Sequence, residues 1–204
     1  MMEKSSFKYL REKEREQRKS IILDAAVFLF KDKVFHKVGM RDIAAKAGIS
    51  AATIYRYFPS RDDILLEALL QDINAIEKLL DEMMKKETLS IEDLAVAVVD
   101  FFLENETTFQ MMCYFLTSGA IEEEAMKKFN LIQEYFINMF NMKLKKITSR
   151  GGDVFFTQAF FASISGVVLT FLHYPGLSKA KKRNYMHKLA VAIIREGGNL
   201  SLGD

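Results

Sequence analysis

Cysteine occurs once in the 204 residues, at position 113, and histidine three times, at 36, 173 and 187. One thiol cannot close an intrachain disulfide, and no Cys/His cluster has zinc-ligand spacing, so no metal is expected. Cys113 lies in FQMMCYFL, among large apolar residues; it reads as a buried structural thiol, with a redox switch as the alternative. Only two prolines and ten glycines interrupt the chain, and no run alternates apolar and polar residues as a half-buried strand does. The expected fold class is all-α. There is no Gly-rich phosphate loop and no nucleophile elbow, and the paired carboxylates are those of helix surfaces, so neither an enzyme nor a cofactor is expected. No uninterrupted apolar run approaches the roughly 20 residues of a spanning helix. The N-terminal MMEKSSFKYLREKEREQRKS is charged and lacks a signal core. The expectation is a cytoplasmic protein with no membrane partner.

What is present is half apolar, enough for a sizeable core, and unevenly charged. The formal net charge is +2, yet residues 1–63 carry 14 Lys/Arg against 9 Asp/Glu and the remainder 15 against 18. The surplus at the N-terminal end is a mild electrostatic sign of polyanion contact. Residues 1–14 mix both signs and read either as a solvated helical extension or as an arm laid on a phosphate backbone.

Apolar periodicity predicts a first helix over 15–32, where Ile22, Ala25, Ala26, Leu29 and Phe30 form one stripe. Met40, Ile43, Ala44 and Ala47 repeat the stripe over two turns. Gly48 stands where a left-handed residue ends a helix cheaply, and Ser50 where a side chain caps the next one. That helix is expected to run to about Phe58, before Pro59. Two short helices across a tight Gly-Ile-Ser turn are a helix-turn-helix, with Ile49, Ile54 and Phe58 facing inward. Long helices are expected over 60–86, 90–104, 121–148, 153–173 and 179–196, with a shorter one at 107–119.

A helix-turn-helix places its second helix in the major groove of DNA. The outward face of 50–58 presents Ser50, Ala51, Thr53, Arg56 and Tyr57. Small residues permit close approach. Thr53 offers a hydroxyl or a methyl, and Arg56 a fork for guanine or phosphate. Tyr55 and Tyr57 suit phosphate hydrogen bonds that fix register. Arg41 can reach a base edge or the backbone, and Lys46 and Arg61 are flanking cations. The partner implied is a double-stranded DNA operator.

The segment ILDAAVFLFKDKVFHKVGMRDIAAKAGISAATIYRYFPSRDDILLEAL, residues 22–69, resembles the DNA-binding region of the tetracycline-repressor-like (TetR) family. The features that carry the resemblance are ILDAA…LF, MRDIAAKAGIS and TIYRYFPSRDDIL. It implies a homodimeric all-α transcription regulator, mostly of the repressor kind, whose variable C-terminal domain binds a small molecule and moves the two DNA-binding modules apart. It also implies base contacts at Arg41 and Thr53 and phosphate contacts at Tyr55, Tyr57 and Arg61, with Ala51 and Ala52 on the same face. Three positions depart from the family pattern: Val38-Gly39 where Thr or Ser often stands, Ala52 where Gly does, and Arg61 where Lys does. The expected division is 1–60 as the helix-turn-helix domain with its basic N-terminal arm, and 61–204 as the effector-binding and dimerisation domain.

Twelve of the 17 phenylalanines and eight of the 11 methionines lie after residue 64. Each alone reads as core. Together Phe101, Phe102, Phe109, Met112, Phe115, Tyr135, Met139, Phe160 and Phe161 suggest an adaptable apolar cavity for a small hydrophobic or aromatic effector. FFASISGVVLTFL (160–172) carries Ala162, Ser163, Ser165 and Gly166, which admit close helix approach. With the stripe Tyr185, Leu189, Ala192 and Ile193 it could form a four-helix interface of a homodimer; covering its own core is the alternative. A hydrophobic-ligand carrier whose helix-turn-helix only packs remains the competing function at this level, and a small helical enzyme the third.

Overall fold

The computed structural model describes residues 2–32, 37–86 and 88–197. Among them are nine helices and no strand: α1 (Met2–Asp32), α2 (Met40–Lys46), α3 (Ala51–Ile54), α4 (Arg61–Met83), α5 (Ile91–Glu104), α6 (Glu106–Thr117), α7 (Glu123–Leu144), α8 (Val154–Phe171) and α9 (Lys179–Gly197). The fold is all-α, as the composition required.

Two helices differ from their expected bounds. α1 starts at Met2 rather than near residue 15. Its first half has no apolar stripe; strong helix formers and local ion pairs hold it instead. Arg18 reaches Glu14 at 2.8 Å and Lys19 reaches Glu16 at 3.6 Å, the spacing at which charges on a helix meet. The opposite difference occurs in α3, which is a single α-turn of four residues. Past Ile54 the backbone tightens: the amides of Arg56 and Tyr57 bond back three residues, to the carbonyls of Thr53 and Ile54. The approach of Pro59, which disfavours helical geometry in the residue before it, is the physical reason.

The chain forms two compact units. The first holds the described residues up to Gln71 together with Gln110–Lys128. In it α1 packs on α2 and α2 on α3. Its core includes Ile22, Ala26, Phe30, Val38, Ile43, Ala44, Ile54, Phe58, Ile64 and Leu65, with Met111 and Phe115 from the later segment. The start of α4 is tied down by side chains. Ser60 Oγ accepts from the Asp63 amide at 3.1 Å and donates to its carboxylate at 2.7 Å. Asp63 also takes Lys128 Nζ at 2.8 Å, and Asp62 accepts from the Tyr114 hydroxyl at 3.1 Å.

The second unit holds Asp72–Phe109 and the described residues from Phe129 onward. α5, α8 and α9 pack on one another. α5 opens with a complete capping box, Ser90 and Asp93 each satisfying the other's amide. Asp100 of α5 receives Arg183 Nε and bonds His187 Nε2 of α9, both at 2.6 Å. α8 is long and apolar enough to cross a membrane by length and composition. Its buried residues are Phe156, Thr157, Phe160, Phe161, Ile164, Val167 and Val168, 39% of its length. Cys113, in the first unit, is half-buried, and burial pushes its thiol up, which disfavours the reactive thiolate.

Burial disfavours the charged form of Asp63, but the hydrogen bonds from Lys128 and Ser60 and the Lys128 charge outweigh it. The carboxyl is thereby held below its ordinary value of 3.8. A lowered folded value contributes stability that is complete above the unfolded value and is lost as pH falls through the folded one. Asp63→Asn should therefore lower the thermal midpoint at neutral pH, with the gap from wild type closing as pH drops below about 3.8. A gap of constant size across thermal melts from neutral to acid pH would show that charge is not the cause.

Candidate nucleic-acid interface

The turn between α2 and α3 is built by two residues. Gly48 has φ +69°, the left-handed geometry that costs other residues most. It lets the Ile49 amide bond back to Ala44 O at 3.0 Å while the Gly48 amide takes Ala45 O at 3.2 Å. Ser50 then caps α3, its Oγ accepting from the Thr53 amide at 3.0 Å. The Ser50 and Thr53 hydroxyls also bond each other at 2.8 Å. Where a Thr or Ser cap was missing before α2, Asp42 compensates: its Oδ2 accepts from the Gly39 amide at 2.9 Å. Asp42 was not singled out from sequence, although an acidic residue three positions after a cap is a recognisable signal.

Ile54 and Phe58 are buried under α3, and Ile49 is half-buried. On the opposite side Ala51, Ala52, Tyr55 and Arg56 are exposed, and Thr53 and Tyr57 half-buried. Tyr55 leaves 53% of its surface open, so its ring is not core. Arg41, at the start of α2, and Ser50 are exposed as well. The exposed residues of 50–57 surround a one-turn helix.

Two flanking cations are already occupied. Lys46 Nζ sits 3.6 Å from the centroid of the Phe28 ring, a cation–π contact that also shields an exposed aromatic. The Arg61 guanidinium lies 5.3 Å from the Tyr114 ring and 5.9 Å from that of Phe30. Arg61 is half-buried at the start of α4. A guanidinium is planar and can lie flat on a ring face, which an ammonium cannot; this gives the Lys-to-Arg departure a packing purpose.

The residues singled out for an effector divide between the two compact units. Phe101, Phe102 and Phe109 make a chain of rings, with centroids 5.9 and 5.1 Å apart. Phe160 and Phe161 pack with Phe140, at 5.4 and 4.5 Å. Met139 is buried in the same unit. Met112 and Phe115 belong to the first unit instead. Tyr135 is exposed, its hydroxyl donating to Glu77 at 3.0 Å.

The geometry is that of a helix-turn-helix module. Residues 22–68 match the family described as "Bacterial regulatory proteins, tetR family". The match covers the DNA-binding module alone; the rest of the chain lies outside it. The chain is 30% identical over 81 residues to the fatty acid metabolism regulator protein of Bacillus subtilis, a stretch that is 40% of this chain and 42% of that one. The chain thus spans less than half the length of that curated relative. Among solved structures it resembles FadR of Bacillus subtilis in complex with stearoyl-CoA, with a TM-score of 0.63 at 22% identity, covering 85% of this chain and 97% of that one. It also resembles the Thermus thermophilus repressor FadR in complex with lauroyl-CoA, with a TM-score of 0.64 at 14% identity, covering 91% and 97%. Likeness at such identities is likeness of fold.

A Cβ at Gly48 would meet nothing within 4 Å, so the cost of Gly48→Ala is backbone geometry alone, roughly 1–2 kcal/mol. Thermal unfolding should show the loss; a variant as stable as wild type would mean that the turn does not depend on the left-handed residue.

Proposed function

We propose that this chain is a ligand-responsive, homodimeric transcriptional regulator, a cytoplasmic repressor rather than an enzyme, released from its operator by a small hydrophobic effector. The observation that supports it most is the two-sided α3. Ile54 and Phe58 are sunk in the module, while Ala51, Ala52, Tyr55 and Arg56 stand open, as does Arg41 at the start of α2. A one-turn helix that spends exposed tyrosine and arginine around two alanines suits close approach to base edges with phosphate contacts on either side.

Dimerisation is assigned to α8 and α9. On their outer side Ala162, Gly166 and Leu169, with Tyr185 and Ala192, are exposed. Small residues flanked by open apolar ones favour close pairing across a two-fold axis. Two recognition helices then read half-sites about 34–36 Å apart, one turn of DNA. For the effector, the stearoyl-CoA and lauroyl-CoA held by the two FadR structures make a long-chain acyl thioester the class to try first. α4, α6 and α7 each run from one compact unit into the other. Ordering of residues around a bound ligand would act on the helices that carry Asp62, Asp63, Tyr114 and Lys128. A coupling of about 1–3 kcal/mol is the usual size of such an effect.

Selection of genomic fragments by the purified protein near physiological salt, beside an Arg41→Ala/Tyr55→Ala double variant, tests the reading. Enrichment of a near-palindromic site by wild type alone is expected. No enrichment by a folded dimer, with or without acyl-CoA, would favour the carrier function. On the recovered site Tyr55→Phe should weaken all sequences alike, whereas Arg41→Ala should relax base preference. Equal loss on every sequence for Arg41→Ala would reassign that residue to a phosphate. Saturating acyl-CoA should weaken operator binding by about 5- to 150-fold; unchanged affinity would exclude that ligand class as the releasing effector.

A further inference from the structure

The buried stripe of α1 does not stop where the apolar residues stop. Ile22, Ala25 and Leu29 lie on the side of the helix that packs into the first unit. Continued toward the N-terminus at the same three- and four-residue spacing, that row becomes Arg18, Arg15 and Arg11. The three arginines line a groove of about 600 Å³ whose other wall is Thr53, Arg56 and Tyr57 of the recognition element. One carboxylate, Glu14, also lines it, and its Oε1 is taken by Arg18, at 2.8 Å from Nη2 and 3.3 Å from Nε. Among the described residues no carboxylate pairs with Arg11, Arg15 or Arg56. A surface helix normally answers its arginines with carboxylates three or four positions away. Here the row is left cationic on the side that faces the DNA-reading residues.

We infer that Arg11 and Arg15, held on the N-terminal extension of α1, grip the DNA backbone beside the recognition helix, with Arg56 and Tyr57 closing the same groove on a phosphate. The inference rests on the DNA-binding reading above and extends the interface beyond residues 22–68, the stretch that matches the family. A guanidinium fork suits a phosphate better than an ammonium does. The occupant is a nucleic-acid backbone rather than an isolated anion, because Thr53 and Arg56 belong at once to the groove and to the face that reads bases. These contacts carry no sequence information and raise affinity on every site. The extension is helical and stands outside the apolar core, so changing its arginines leaves the folded module intact.

The test is the salt dependence of binding to the selected operator and to an unrelated duplex of equal length. Each phosphate neutralised contributes about 0.9 to the slope of log affinity against log salt. Arg11→Ala/Arg15→Ala should flatten the slope by about 1–2 on both duplexes and weaken both roughly ten-fold near physiological salt, with the preferred site unchanged. Arg11→Lys/Arg15→Lys should retain most of the slope. An alanine pair with the wild-type slope overturns the inference while leaving the regulator reading intact, and so does a lysine pair that falls as far as the alanine pair. Wild-type protein without salt-sensitive binding to either duplex overturns both.

Discussion

Everything the interface can do depends on Ile54 and Phe58 being out of water. α3 is one turn long, far below the length at which a helix holds itself together. Its geometry is therefore tertiary: Ile54 is fully buried and Phe58 nearly so, each burial worth about 1.5–3 kcal/mol. The Ser50 cap and the Gly48 turn set the angle at which α3 leaves α2. The two buried side chains keep it there. Tyr55 and Arg56 are placed by those anchors and project away from them, with Tyr57 half-buried at the edge. A longer recognition helix would carry its own rigidity; this one borrows it from α1 and α2.

The start of α4 solves a second problem. The chain turns at Pro59 and Ser60, and the first residues of α4 carry two acidic groups and an arginine. Asp62 and Asp63 suit the positive end of the helix, but both are also bound by side chains from Gln110–Lys128: the Tyr114 hydroxyl and Lys128 Nζ. Burial and the Asp62 carboxylate push the Tyr114 phenol up, so it remains a protonated donor over the whole physiological range. Arg61 lies against the same tyrosine ring. A segment more than forty residues later in the chain is thus part of the DNA-binding unit, and its hold on α4 is made of directional bonds rather than apolar contact alone.

The turn, the cap and the buried face of the helix-turn-helix were legible because each is a local rule: a left-handed glycine, a serine before an amide, a 3.6-residue period. The resemblance of residues 22–69 added the roles of Arg41, Thr53 and the tyrosines. The first half of α1 was not legible as firm helix, because periodicity detects only a helix with something to bury, and residues 8–19 bury almost nothing. Lys46 and Arg61 read only as flanking cations because the rings they meet, Phe28, Phe30 and Tyr114, lie 18 to 53 positions away in sequence. How the aromatic set divides between the units was hidden for a similar reason. Phe109 and Phe115 are six residues apart on one helix, yet they belong to different compact units; helical spacing shows which residues share a face, not which neighbours that face meets.

The hydroxyl pair at the start of α3 joins capping to recognition. Ser50 Oγ accepts the Thr53 amide and shares one hydrogen bond with Thr53 Oγ1. Two hydroxyls have two protons, and the bond between them uses one. If Ser50 donates, the Thr53 proton is left to point outward; if Thr53 donates, the Ser50 proton is. In either arrangement the cap is intact and one donor remains for a base edge or a phosphate oxygen, and the donor's position moves between two neighbouring atoms at little cost because hydroxyls rotate freely. A cap made by Asp at position 50 would hold the Thr53 amide at least as well, but it would take the Thr53 proton and present a negative charge to DNA. Serine is the residue that closes the helix without closing the site.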